Sequence, residues 1–160
     1  MKQYIPAYYK NFQCIAQKCK DNCCIGWDIM IDEQSYNRYQ KVTTPFKKCL
    51  DQGIHHGKEP MFCMDEQGRC AFLNQNNLCD IYIELGEDAL CEICTQHPRF
   101  HNEYGHIRQS GLGLACEEAA RLILNDSDFK VEESIVESES EDDEWADELM
   151  RIELYLLEIL

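Results

Sequence analysis

Nine cysteines fall into close-set groups: Cys14, Cys19, Cys23 and Cys24 within eleven residues, then Cys70 with Cys79, Cys91 with Cys94, and finally Cys116. Thiols at this density have two common uses, a disulfide framework or a metal centre. A structural zinc site takes four ligands, commonly from two Cys-x2–4-Cys knuckles. A cubane iron–sulfur cluster likewise takes four thiolates. Cys91-x2-Cys94 suits either metal but is weak evidence by itself. The first group is stronger, because four thiols so close in sequence cannot all point into separate cores. Eight or nine candidate ligands leave two arrangements open: two four-ligand sites, or one cluster that selects four and is supported by the rest.

The other metal-competent residues are read more plainly. Cys49 and Cys63 have no near partner in sequence and are expected to be ordinary thiols. His97 follows Cys94 by three residues, and imidazole suits zinc and iron alike. Its place before Pro98 nonetheless favours a local hydrogen-bonding role. His55 and His56 sit beside Gly57 in a loop and are expected to be exposed. Cys116 opens a helix whose dipole would stabilise a thiolate, as a ligand or a reactive thiol, with a small buried residue as the alternative.

Disulfides need an oxidising compartment and usually a secretion signal. Met1–Lys10 contains no apolar segment of the signal-peptide kind. Eleven cysteines is also an odd number. Metal is therefore the expected use, in a cytoplasmic protein. No apolar run approaches the length needed to span a bilayer, so no membrane partner is expected.

The elements that must position these thiols read as short. Asp32 can cap a helix from Glu33 to Lys41, with Tyr36 and Tyr39 inward. Residues 43–60 carry two prolines and two glycines and read mainly as loop, with a helical turn near Phe46–Leu50. Residues 68–73 and 78–82 flank the polar Asn74–Asn77, which predicts a hairpin or strand-turn-helix unit that brings Cys70 near Cys79. A helix is expected over Ile81–Cys94, an extended segment over Ile107–Ala115 and a helix over Glu117–Leu124.

Charge divides the chain. Twelve acidic residues and one lysine lie between Asp126 and Glu148, a net of −11, leaving −4 of the total −15 for the rest. Residues 1–125 are thus expected to form a near-balanced metal-binding body and 126–143 an acidic, solvated linker. This balance disfavours nucleic acid, whose phosphates would be repelled. In 144–160, Trp145, Leu149, Ile152, Leu156 and Ile159 recur at helical spacing and predict an amphipathic helix seeking a partner surface. The fold class expected is α+β: a small cysteine-rich metal-binding domain with short helices and a hairpin.

Several multi-residue strings resemble one family. They are Tyr4-Ile-Pro-Ala-Tyr-Tyr-Lys-Asn-Phe-Gln-Cys14, Cys19-Lys-Asp-Asn-Cys23-Cys24-Ile-Gly-Trp27, Cys70-Ala-Phe-Leu-Asn74 and Leu78-Cys79-Asp-Ile-Tyr82. Leu90-Cys91-x2-Cys94, His97-Pro98-Arg99 and Leu114-Ala-Cys116-Glu-Glu-Ala-Ala-Arg121 follow in order. Over roughly residues 1–124 the chain is similar to the flagellin lysine-N-methylases. A shorter part also resembles the wider zinc- or iron-chelating cysteine-cluster family. The resemblance implies methylation of lysines on flagellin or another lysine-bearing protein. It further implies S-adenosylmethionine as donor and an iron–sulfur cluster, 4Fe-4S, in the cysteine-rich part, with zinc as the alternative metal. Family members are considerably longer, so the final helix is expected to stand where their helical C-terminal portion begins. No residue stands out as catalytic base, and Gly111-Leu-Gly113 is too short a signal for a nucleotide loop. A non-catalytic iron–sulfur or zinc module is the competing expectation.

Overall fold

The structure, a computed structural model, describes residues 1–20, 22–136 and 144–158. The chain forms two compact units. One comprises Met1–Phe12, Pro98–Leu114 and Ala119–Leu160; the other comprises Gln13–His97 and Ala115–Glu118. Secondary structure is mixed: six short strands, six α-helices and three 3-10 helices, with a four-stranded sheet and a separate small hairpin, among the described residues.

The cysteine-rich unit begins its regular structure at helix α1, Glu33–Gln40. Asp32 caps it, Oδ1 accepting from Ser35 N at 2.8 Å. Ser35 and Tyr39, one turn apart, face inward, while Tyr36 is half-buried and its hydroxyl pairs with His56 Nδ1 at 2.8 Å. Helix α2, Lys47–Gly53, extends the single turn expected there. It leads into a two-stranded antiparallel pair, β2 (Ile54–His55) and β3 (Met61–Phe62). Ile29, Tyr39, Leu50, Phe62, Phe72 and Ile81 form the core. Phe72 meets Phe62 edge-on at 5.0 Å and Phe46 at 6.1 Å. Burying each such side chain stabilises by about 1.5–3 kcal/mol.

The helix expected over 81–94 is two helices instead: α3, Asp80–Leu85, and α4, Glu92–Gln96, with a 3-10 turn between them. Gly86, at φ +88°, stops α3 in backbone that other residues rarely adopt. The break makes Cys91 the N-cap residue of α4 rather than a mid-helix residue.

The second unit is built on a sheet ordered β4-β5-β1-β6. Its strands are β1 (Lys2–Pro6), β4 (Arg99–Tyr104), β5 (Ile107–Leu112) and β6 (Val131–Ile135). β4 and β5 form a hairpin, β1 runs parallel to β5, and β6 is antiparallel to β1. Helix α5, Glu117–Leu124, falls where the sequence predicts it. The stretch expected as linker supplies β6, which joins the sheet through main-chain pairing with β1; Val131 is half-buried and the rest of the strand, acids included, stays exposed. Residues 137–143 of that stretch lie outside the described residues.

Helix α6, Glu144–Glu158, forms as expected but seats a different face. Ala146 and Met150, with Leu154, pack on Tyr4, Ile107 and Val131. Trp145, Leu149, Ile152 and Leu156 of the anticipated stripe are 47–75 % exposed; Ile159 lies outside the described residues. Polar contacts on the seated side fix the rotation. Asp147 meets Lys2 and His106, each at 3.2 Å, and Gln109 Nε2 donates to Glu153 Oε2. None of the described helices is long and apolar enough to cross a membrane.

Candidate metal centre

Three strands of local structure deliver thiols to the same side of the cysteine-rich core. The first is the turn around Cys23-Cys24. Cys24 N donates to Asn22 Oδ1 at 2.9 Å, and Cys24 O accepts from Cys70 N at 2.8 Å. Gly26 N donates to Gly68 O at 2.8 Å and Ile25 bridges Arg69, so residues 24–26 and 68–70 lie side by side. The second is the loop from Cys70 to Cys79. Asn74 Oδ1 accepts from Asn76 N and Leu78 N, closing a turn that pairs Leu73 with Cys79. The third is the start of α4. Asp32 Oδ2 accepts from Glu92 N at 2.8 Å, so the carboxylate that caps α1 also holds the residue beside Cys91.

The result is a convergence of thiols. Cys70 and Cys91 are buried, Cys24, Cys79 and Cys94 half-buried, and Cys23 exposed. The Cys91 and Cys94 sulfurs are 3.4 Å apart. The hydrogen bond between the two sulfurs holds Cys91 below the ordinary thiol value against burial, and drives Cys94 well above it. Cys23 and Cys24 behave alike. The Cys24 hydrogen bond holds Cys23 at about 7, while Cys24 is raised by that bond, by burial and by the neighbouring Cys79 and Cys70. Cys94 in turn feels Cys24 and Cys79. Burial pushes Cys70 up to about 11, with Cys79, Cys91 and Cys63 adding to it. Tyr39 lies under the convergence: burial first, then Cys91 and Cys94, raise its phenol, which donates to Ala89 O at 2.8 Å.

Other expected ligands stand elsewhere. Cys14 is exposed, and its sulfur accepts from Ala16 N at 3.4 Å. Cys19 and Cys116 are half-buried, and Lys20 N donates to Glu117 Oε2 at 2.5 Å, which holds the segment at Cys19 beside the start of the helix that follows Cys116. Cys49 is exposed. Cys63, expected to be an isolated thiol, neighbours Cys70, and Ala71 N donates to its carbonyl at 2.8 Å.

Two residues at the rim carry less signal in the sequence. Trp27 Nε1 donates to Cys23 O at 2.7 Å, and its ring packs 6.3 Å from that of His97. His97 Nε2 is buried without a hydrogen-bond partner among the described residues, and burial lowers the imidazole from its ordinary value.

In kind, this donor set fits a thiophilic ion or cluster: converging sulfur atoms and an orphaned imidazole nitrogen. In spacing, the sulfurs meet as pairs. Among the described residues, no three His, Cys, Asp or Glu side chains stand close enough together to hold a metal ion.

Comparison with known proteins gives three matches of similar strength. The chain is 33 % identical over 132 residues to a lysine-N-methylase of Salmonella typhimurium (strain LT2), covering 77 % of this chain and 32 % of that protein. A lysine-N-methylase of Salmonella choleraesuis is 30 % identical with the same coverage. The flagellar biosynthetic protein FliU of Salmonella muenchen is 30 % identical over 132 residues, covering 77 % of each chain. The chain spans about a third of the length of the lysine-N-methylases it matches. No protein-family model matches it, and no solved structure does.

Proposed function

The chain belongs to the flagellin lysine-N-methylase family, and from that premise we propose that it is the cysteine-rich part of a methylase acting on flagellin lysines. S-adenosylmethionine is the donor in this reading, and an iron–sulfur cluster is the metal centre. The observation that carries the metal centre is the convergence of the Cys23–Cys24 and Cys91–Cys94 pairs with Cys70 and Cys79. These six residues would hold the cluster, with four as direct ligands. Cys14, Cys19 and Cys116 remain candidates for a second site. A cluster bound here would supply an electron-transfer or Lewis-acidic centre and would tie three loops together.

Methyl transfer joins the lysine Nζ lone pair to the donor's methyl carbon as the carbon–sulfur bond breaks. The amine must therefore shed its proton first, and the protein must hold nitrogen, carbon and sulfur in line. A chain this rich in cysteine suits a reducing cytoplasm, where this reading places the protein.

A second reading is a non-catalytic iron–sulfur or zinc module, which needs no more of the chain than the compact cysteine-rich unit. One experiment separates the two. Protein purified without oxygen is assayed for iron, zinc and acid-labile sulfide, then incubated with flagellin and methyl-labelled S-adenosylmethionine. Iron with matching sulfide and labelled flagellin lysines would support the methylase. Bound metal without label, where a full-length relative transfers it, would favour the module. Absence of both metals would sink the metal centre in either reading.

A further inference from the structure

The sulfurs of Cys91 and Cys94 are in direct contact, 3.4 Å apart. Local structure holds them there. Cys91 is the N-cap residue of α4, with φ −71° and ψ 159°, and Cys94 lies in the first turn of that helix. Cys91 O accepts from Thr95 N at 3.0 Å and from Thr95 Oγ1 at 3.2 Å, which closes the turn around the pair. Asp32 Oδ2 pins the same turn through Glu92 N. A disulfide would draw the sulfurs in to about 2.05 Å, a closure of about 1.4 Å that side-chain torsions can supply. Cys23 and Cys24 lack that option. Neighbouring Cα atoms stand about 3.8 Å apart across a trans peptide, short of the roughly 4.4–6.8 Å that disulfides usually span.

Exposure gives the Cys91–Cys94 pair a direction. Cys91 is 0 % exposed and Cys94 is half-buried, so a reagent from solvent meets Cys94 first. Contact between sulfurs also stops at the pair. Among the described residues no three metal-competent side chains stand close enough to hold an ion. Two thiols in contact fall short of a metal site and suffice for two-electron exchange with a disulfide.

We propose that Cys91 and Cys94 form an exchangeable dithiol that small disulfides of the glutathione type oxidise and small thiols restore. The Cys94 sulfur attacks one sulfur of R–S–S–R, forming a mixed disulfide and releasing the first R–SH. Cys91 then attacks the Cys94 sulfur, the mixed bond breaks, and the second R–SH leaves. The chain loses two protons and two electrons, and the external disulfide gains both. Excess R–SH runs the same steps backwards. In a reducing compartment such disulfides are transient, and catalytic or redox-sensing. The link braces only the first turn of α4, so it changes the chemistry of the thiol cluster more than the fold. The inference goes beyond the metal-centre reading and stands without it.

The test incubates the reduced full chain with oxidised glutathione, both as purified and after chelator treatment. Remaining thiols are alkylated and the protein is cleaved after glutamate. Cleavage at Glu87, Glu92 and Glu103 leaves Cys91 and Cys94 on separate peptides, so only a disulfide joins them. The expected product is that joined pair, lighter than the free peptides by two hydrogens, in at least one of the two samples and reversed by reduced glutathione. Cys91→Ser should instead retain glutathione on Cys94, because the resolving sulfur is gone. Cys94→Ser should leave Cys91 unmodified until denaturant exposes it, which also reports that the variant is folded. A lasting glutathione adduct on Cys94 of the wild-type protein would overturn the proposal. So would a preferred link from either cysteine to another thiol, or two untouched thiols in both samples. The joined peptides are read on unmutated protein, so misfolding of a variant cannot remove them. Metal content of the purified protein is measured separately and bears on the metal centre alone.

Discussion

Asp32 uses both carboxylate oxygens on backbone donors, Oδ1 for Ser35 at the start of α1 and Oδ2 for Glu92 at the start of α4. Burial alone would raise its pKa, but the N–H groups of Glu92 and Ser35 outweigh it and hold the carboxyl below the usual range. Because the folded value is depressed, the stabilisation is present above the unfolded carboxyl value near 3.8 and is lost as pH falls through the folded one. Wild-type protein should therefore lose this share of stability below about pH 4. Asp32→Ala should cost about 0.5–2 kcal/mol near neutrality for the α1 cap alone. Urea melts at pH 7 and pH 3 check both points: the gap between wild type and variant should be wide at pH 7 and narrow at pH 3. The cap on α1 is legible in the sequence, since Asp32 directly precedes a helical pattern. Its second bond is not, because nothing local links it to a residue sixty positions later.

At the scale of elements, two substitutions separate packing from pattern. Gly53 ends α2 under the Phe72 ring, and a Cβ there would lie 2.5 Å from Phe72 Cζ. Phe72 is wedged between Phe46 and Phe62 and has little room to yield. Gly53→Ala, which in open helix would stabilise slightly, should instead destabilise by about 1–3 kcal/mol in a denaturant melt. On α6 the faces differ in the same way. Met150→Ala should cost about 2–5 kcal/mol because its side chain is buried on Tyr4 and Ile107. Leu149→Ser should change stability by less than about 0.5 kcal/mol, measured by the same melt. The reverse would follow from the sequence stripe, which ranks Leu149 inward and ignores Ala146 and Met150. Hydrophobic spacing located α6 and α5 but not the rotation of α6, which depends on Asp147 finding Lys2 and His106. Likewise the spacing of residues 81–94 reads as one helix, and only the left-handed backbone at Gly86 shows why it is two. Of the thiols, the nearness of Cys70 to Cys79 was legible from the turn residues between them. The separate setting of Cys14 was not, because close spacing in sequence does not fix direction in a loop.

At the scale of the whole molecule, a metal centre in the cysteine-rich unit would cross-link the Cys23–Cys24 turn, the Cys70–Cys79 loop and α4. Metal affinity is then part of folding free energy. Treating metal-loaded protein with a strong chelator should lower its melting temperature by several degrees, roughly 2–8 °C for each kcal/mol lost. Calorimetry of loaded and stripped protein checks this, and an unchanged melt would argue that no bound ion supports the fold. The sheet of the other unit was the least legible part of the chain. β1 is mostly polar, and its partners lie more than a hundred residues away in β5 and β6. No local pattern reports such a pairing. That arrangement sets a timetable for synthesis. β1 leaves the ribosome before its partners yet sits in the sheet interior, and the Met1 amine bonds to Val136 O at 3.0 Å. At about 5–20 residues per second, Ile135 emerges roughly 2–8 s after His97. For those seconds almost all of the thiol-bearing segment is already outside the ribosome, while β1, able to pair with β5, still lacks β6 on its other edge.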